Sequence, residues 1–231
     1  MTYVAGDLRD QLALVGSAVV QAGLVVGSGG NLSARVPGTD ECWVTAAGTW
    51  LDRLNRPSFV RVRISDGVLM DAADRADHPI QPAAGPASGA RPTSELGLHL
   101  ATYRVRSEVN AVVHLHPQTV LLLDALAQPI RLISTDHSFY LRRIATAPFH
   151  PPGTPAVGES AARACADGTD CVVLSRHGCS VLGTTVELAH KRAMYLEEAA
   201  LLTYRALSVG RVDDLTDCPT GWLDDSGRSS V

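Results

Sequence analysis

The segment Ala111-Val112-Val113-His114-Leu115-His116 constrains this chain more than any other. Its apolar, valine-rich start reads as a strand buried in a sheet. On a strand, residues i and i+2 point to the same face, so His114 and His116 aim their imidazoles at one point. A buried strand ordinarily places Leu or Val there, because ring nitrogens taken out of water need partners. Two readings meet that need: a divalent cation held by both rings, or two histidines facing solvent.

The rest of the 231 residues supplies a sheet and its covering helices. Residues 7–26 carry apolar positions at helical spacing (Leu8, Leu12, Val15, Val19, Val20, Leu24), with Gly27 as the expected left-handed stop. Short strands are predicted at Leu32–Val36, Cys42–Thr45, Phe59–Ile64 and Val68–Met70, punctuated by Gly, Pro and Asp. Residues 71–92 read as a loop. Helices are expected at Ser94–Arg106, Thr119–Ala127 and Gly158–Ala166, and strands at Leu141–Ala147, Cys171–Ser175 and Cys179–Leu182. Val186, Ala189, Ala193, Leu196, Ala200, Tyr204 and Leu207 mark one face of a long helix. The alternation gives one α/β domain over residues 1–207, followed by an acidic, loosely ordered tail over 208–231 with five aspartates.

Composition excludes several classes. Apolar residues at 45% and charged residues at 19% rule out a disordered chain. A net charge of −4 excludes a general nucleic-acid binder. No charge lies between Asp10 and Arg35, a span long enough to cross a bilayer. Gln11, Ser17, Gln21 and Ser28 interrupt it, however, and Asp7 and Asp10 stand where a secretory signal has basic residues. It reads as a buried amphipathic helix and not a membrane anchor. The five cysteines (Cys42, Cys165, Cys171, Cys179, Cys218) show no C-x-x-C spacing, so a reducing cytoplasm is expected.

Two further residues join the histidine pair as candidates. His177, in Leu174-Ser175-Arg176-His177-Gly178, follows an apolar strand and is either a third ligand or an ordinary loop histidine. Glu95, in Arg91-Pro92-Thr93-Ser94-Glu95, opens a helix with Thr93 or Ser94 as N-cap. It is either a favourable charge in the first turn or a carboxylate aimed at a metal and an anionic ligand. The turn Gly27-Ser28-Gly29-Gly30-Asn31 is neither a Walker motif nor a dinucleotide fingerprint.

Five motifs, in order, resemble the class II aldolase/adducin-head family over roughly residues 8–207. They are Gly30-Asn31-Leu32-Ser33, Val44-Thr45-Ala46-Ala47-Gly48, Ser94-Glu95, His114-Leu115-His116-Pro117 and Arg176-His177-Gly178. The resemblance implies a single α/β domain, its central, mainly antiparallel β-sheet flanked by helices in αβα layers. It implies zinc, or another divalent metal, on His114, His116 and His177. Glu95 would be the acid/base, and phosphate would sit among Gly30, Asn31, Gly48, Thr93 and Ser94. The implied activity is reversible cleavage of a small ketose 1-phosphate to dihydroxyacetone phosphate and an aldehyde through a metal-stabilised enediolate. Assembly as a homotetramer is implied as well, with neither nucleic acid nor membrane as partner.

The chain departs from the family's pattern twice. Ala46-Ala47-Gly48 replaces Thr-Pro-Ser-Gly, removing one hydroxyl donor to a phosphate, at a cost of about 1–3 kcal/mol if the substrate carries one. The segment Ser134–Tyr140 does not match the family's aldolases, in which a neighbouring subunit's tyrosine donates a proton; Tyr140 or His137 is the candidate here. A sugar-phosphate 4-epimerase or dehydratase on the same metal site, an oxygenase with another metal, and an adducin-like binding protein are the alternatives. The family's epimerases typically carry aspartate at the position of Glu95, which favours the lyase. A Schiff-base mechanism lacks its lysine, since Lys191 is the sole lysine and lies beside Arg192 on a helix.

Overall fold

A computed structural model describes residues 5–70 and 90–223. Seven strands form one sheet: β1 (Asn31–Arg35), β2 (Glu41–Thr45), β3 (Phe59–Arg63), β4 (Ala111–Leu115), β5 (Ile144–Ala147), β6 (Cys171–Leu174) and β7 (Gly178–Gly183). Their order is β3-β2-β1-β4-β7-β6-β5. Every pair is antiparallel except β5 with β6. That parallel pair needs a crossover, which a helix supplies.

Alternation along each strand sorts the core into two faces. Leu32 and Ala34 of β1, Val113 and Leu115 of β4 and Val181 of β7 pack against helices α1 (Leu8–Gln21), α3 (Gln118–Ala125) and α5 (Val186–Ser208). Val112, Val172 and Leu182 turn the other way, toward α2 (Leu96–Val105) and α4 (Pro155–Cys165). The chain is therefore a three-layer αβα sandwich. His114, one residue after Val113, falls on the α2 face.

Several element ends differ from the sequence reading for local reasons. Helix α1 stops at Gln21, not near Gly27. Gly23 takes φ +75°, Leu24 N–H donates to the Val19 carbonyl and Gly23 N–H to that of Val20, closing the helix four residues before Gly27. The expected strand Leu141–Ala147 begins only at Ile144, because residues 137–141 form a π-turn and Arg142 sits at φ +57°. Residues 68–70 make an isolated bridge, Leu69 to Val62, in place of a strand. On α5 the buried stripe drifts to Ala199 and Thr203, leaving Tyr204 exposed, as a 3.6-residue period requires over 23 residues. Within the expected tail, Arg131 pairs with Asp217 and Cys218 N–H donates to the Leu132 carbonyl. Most of the 71–92 loop and residues 224–231 lie outside the described residues.

Helices α2 and α4 approach at a glycine contact. A methyl group built on Gly158 would lie 2.6 Å from the Gly97 carbonyl oxygen, whereas one on Gly97 would meet nothing within 4 Å. This contact sets the height of α2, and with it the residue that precedes α2, over the sheet. Gly158→Ala is expected to lower stability by about 1–3 kcal/mol through overpacking. Gly97→Ala is expected to leave it unchanged or raise it by up to about 1 kcal/mol. Thermal denaturation of the two variants side by side checks the contact; equal effects would contradict it.

Candidate metal centre

Three segments far apart in sequence meet beside β4. The β1–β4 register sets Asn31 opposite His114. The segment before α2 adds to the sheet through Thr93 N–H to the Thr45 carbonyl and the Ala46–Pro92 bridge, which delivers Glu95 to the helix start. There the Glu95 N–H donates to Thr93 Oγ1 at 3.3 Å, and Glu95 itself is the residue at which α2 begins. His177 sits on the tight 175–177 turn between β6 and β7, where Arg176 takes φ +57°.

That turn is held from below. Asp124 on α3 accepts from the Arg176 N–H at 2.7 Å and from Ser175 Oγ at 3.1 Å. Glu197 on α5 accepts from the N–H groups of Thr119 and Val120, satisfying the first turn of α3 directly after His116 and Pro117. One short helix thus ties the His116 turn to the His177 turn. The glycines serve close approach. A Cβ on Gly178 would lie 2.6 Å from His116 Cδ2, and one on Gly30 would lie 2.7 Å from the His114 carbonyl oxygen.

Glu95, His114, His116 and His177 each offer a ligand atom, all within 4.8 Å of one another. His114 Nε2 lies 2.9 Å from Glu95 Oε2 and 3.0 Å from His116 Nε2; His177 Nε2 lies 3.0 Å from Glu95 Oε1. Asn31 Nδ2 donates to Glu95 Oε2 at 3.0 Å. The donor set fits a divalent cation. His114 Nδ1 lies 2.9 Å from the Cys179 carbonyl oxygen and donates to it, so Nε2 is the ring atom that faces a carboxylate oxygen and a second imidazole nitrogen. With the ring's first proton on Nδ1, a positive charge, either a second proton or a cation, has to lie among these atoms. Three imidazoles and one carboxylate suit zinc, and other divalent metals accept the same set.

Electrostatics follow from burial. Burial pushes His116 down to about 4, reinforced by His114 and His177 beside it, so its ring is neutral and able to ligate at pH 7. Burial alone would raise the Glu95 carboxyl, but the hydrogen bonds and charges of His114 and His177 outweigh it and hold the group well below the usual carboxylate range. A cavity of about 270 Å³ opens beside Glu95, between the starts of α2 and α4, lined by Ser94, Gly97, Gly153, Thr154 and Val157 among others.

The remaining sequence candidates sit as follows. Ser94 is exposed and lines the cavity, Gly48 is exposed in a left-handed turn at φ +75°, and Thr93 is buried with its hydroxyl engaged by Glu95 N–H. The Asn31 amide is committed to Glu95. Tyr140 stacks on Tyr195 of α5 at 4.7 Å, and His137 is buried with Nε2 3.4 Å from Glu198, also on α5. Both lie on the sheet face opposite Glu95, so one chain does not bring them to the histidines. Sequence reasoning missed Ser33, His99, Tyr103 and Asp124. The available signal was His99, a polar residue on the buried face of α2 between Leu98 and Leu100.

Comparison with known proteins places the chain in a family and a fold. L-fuculose phosphate aldolase of Methanococcus vannielii is 30% identical over 184 residues, 80% of this chain and 88% of that protein. The 3-oxo-tetronate 4-phosphate decarboxylase of Haemophilus influenzae is 27% identical over 227 residues, 95% of this chain and 97% of that one. A solved L-fuculose 1-phosphate aldolase superposes with a TM-score of 0.75 at 21% identity, covering 98% of this chain and 95% of that chain, a likeness of fold. The model of the Class II Aldolase and Adducin N-terminal domain matches residues 10–204, and the chain belongs to that family.

Proposed function

We propose that the chain is a zinc-dependent aldolase that reversibly cleaves a small ketose 1-phosphate to dihydroxyacetone phosphate and an aldehyde. Family membership, with relatives named as aldolases and decarboxylases, makes it a metal-dependent lyase. The choice of bond and substrate is our reading. The observation that carries it is the pair of unequal oxygens on Glu95, set beside three converging imidazoles.

A divalent cation held by His114, His116 and His177 would supply positive charge to offset negative charge developing on substrate oxygens. Glu95 moves the proton. Its Oε2 is held by Asn31 and faces His114, whereas Oε1 faces His177 and takes no bond from Asn31. Oε1 is therefore the atom that takes the proton from the carbon beside the carbonyl, or returns it. We assign the phosphate to the backbone of Gly30 and Asn31, to Gly48, and to Thr93 and Ser94 at the start of α2, where the positive end of the helix favours an anion. Tyr140 as proton donor requires a neighbouring chain, which ties its role to a homotetramer. Among the described residues no helix is long and apolar enough to cross a membrane, and Cys42, Cys165, Cys171, Cys179 and Cys218 are all free thiols. With the reducing conditions such thiols favour, we place the protein in the cytoplasm.

A second reading has an observation of its own. The decarboxylase relative spans 95% of this chain against 80% for the aldolase. Loss of carbon dioxide from a 2-hydroxy-3-oxo acid leaves an enediolate of the same kind, and Glu95, after taking a proton from solvent, would donate it to the carbon that lost the carboxylate. Incubation with dihydroxyacetone phosphate and a panel of aldehydes, beside 3-oxo-tetronate 4-phosphate, separates the two. Condensation products support the aldolase; carbon dioxide release without condensation favours the decarboxylase.

Two outcomes are expected. Glu95→Gln slows exchange of the dihydroxyacetone phosphate C3 proton with deuterated solvent by about 10²–10⁴, because the amide keeps the shape and cannot accept a proton. NMR follows the exchange, and an unchanged rate would remove Glu95 from proton transfer. Light scattering at micromolar concentration is expected to return the mass of a tetramer; a monomer mass would separate Tyr140 from the site.

A further inference from the structure

Four buried side chains outside the proposed proton transfer form a single file of hydrogen bonds that ends on Glu95. Tyr103 Oη lies 2.7 Å from Ser33 Oγ, and Ser33 Oγ lies 2.7 Å from His99 Nδ1. His99 Nε2 lies 2.5 Å from Asn31 Oδ1, and Asn31 Nδ2 lies 3.0 Å from Glu95 Oε2. Ser33 and His99 are 0% exposed, Tyr103 2% and Asn31 5%.

The direction of every bond follows from the carboxylate. An ionised carboxylate only accepts, so Asn31 turns its NH₂ group toward Glu95 and its Oδ1 toward His99. Oδ1 only accepts, so the proton of His99 is on Nε2. Burial pushes this imidazole down to about 3, with nearby His114 acting in the same sense, so the ring is neutral and its Nδ1 accepts. Ser33 then donates to Nδ1 and accepts from Tyr103, whose phenol burial holds protonated. No other assignment satisfies all five groups.

We infer that His99 is a positioning residue for Glu95, its Nε2–H locking the Asn31 amide in the one orientation that presents NH₂ to the carboxylate. The inference rests on the metal-centre reading and extends it to a side chain that touches neither metal nor substrate. A flipped Asn31 would set Oδ1 against Glu95 Oε2, and the carboxylate would lose the one side-chain donor, among the described residues, that it has apart from the histidine rings. Such outer contacts typically govern metal affinity by 10–100-fold.

The test measures zinc affinity by competition with a chromophoric chelator. His99→Phe keeps the ring volume without the donor and is expected to weaken zinc binding by about 10–100-fold. His99→Gln, which retains one donor and one acceptor, is expected to recover most of that loss. Because His99 acts through Asn31, Asn31→Ala combined with His99→Phe should bind zinc no more weakly than Asn31→Ala alone. Additive losses, or an unchanged affinity in His99→Phe, would overturn the inference and leave His99 a packing residue. Wild type and His116→Ala run alongside: if wild type takes up no zinc, or His116→Ala takes it up equally well, the metal-centre reading has failed. His99 is then judged by NMR of the metal-free protein. An Nε2–H tautomer, with slowly exchanging Asn31 amide protons that become fast in His99→Phe, supports it. An Nδ1–H tautomer, or amide exchange indifferent to His99→Phe, overturns it.

Discussion

A carboxylate with 7% of its surface exposed can stay ionised only if its charge is answered at short range, and the architecture around Glu95 is arranged to do so. Burial opposes the charge, while His114 and His177 restore it. Removing either ring takes away part of that compensation from a buried anion, a larger defect than the loss of a surface ion pair. Three segments therefore have to arrive together: the β1–β4 pair, the start of α2 and the turn before β7.

Secondary structure does this positioning with few side chains. Alternation on β4 places His114 and His116 toward α2 while Val113 and Leu115 fill the opposite core. The Gly97–Gly158 contact lets α4 press α2 close, and α3 joins the two histidine turns through Glu197 at one end and Asp124 at the other. The proposed reaction needs a cation and a base within one small volume. The carboxylate we propose as that base reaches it from the helix layer and the imidazoles from the sheet.

Much of this was legible in residues 111–116 alone, because a strand's period of two fixes which side chains converge. Glu95 and His177 were legible as candidates from their places at a helix start and beside a glycine. Their distance from one another was not, since it depends on pairings such as Asn31 with His114 that no local pattern encodes. The amide of Asn31 illustrates the limit. Its motif suggested a phosphate contact, whereas its side-chain NH₂ group donates to Glu95. The π-turn at 137–141 escaped notice for another reason, because its apolar residues continue the pattern of the strand that follows.

Glu95, His114, His116 and His177, we propose, close around a single divalent cation. Anomalous diffraction from crystals of the purified protein, collected across the zinc edge, tests this most directly. One peak per chain is expected, bonded to the Nε2 atoms of the three histidines, with the Asn31 amide turned toward the Glu95 carboxylate. A metal peak elsewhere, or three histidines hydrogen-bonded only to water and Glu95 in zinc-soaked crystals, would contradict it.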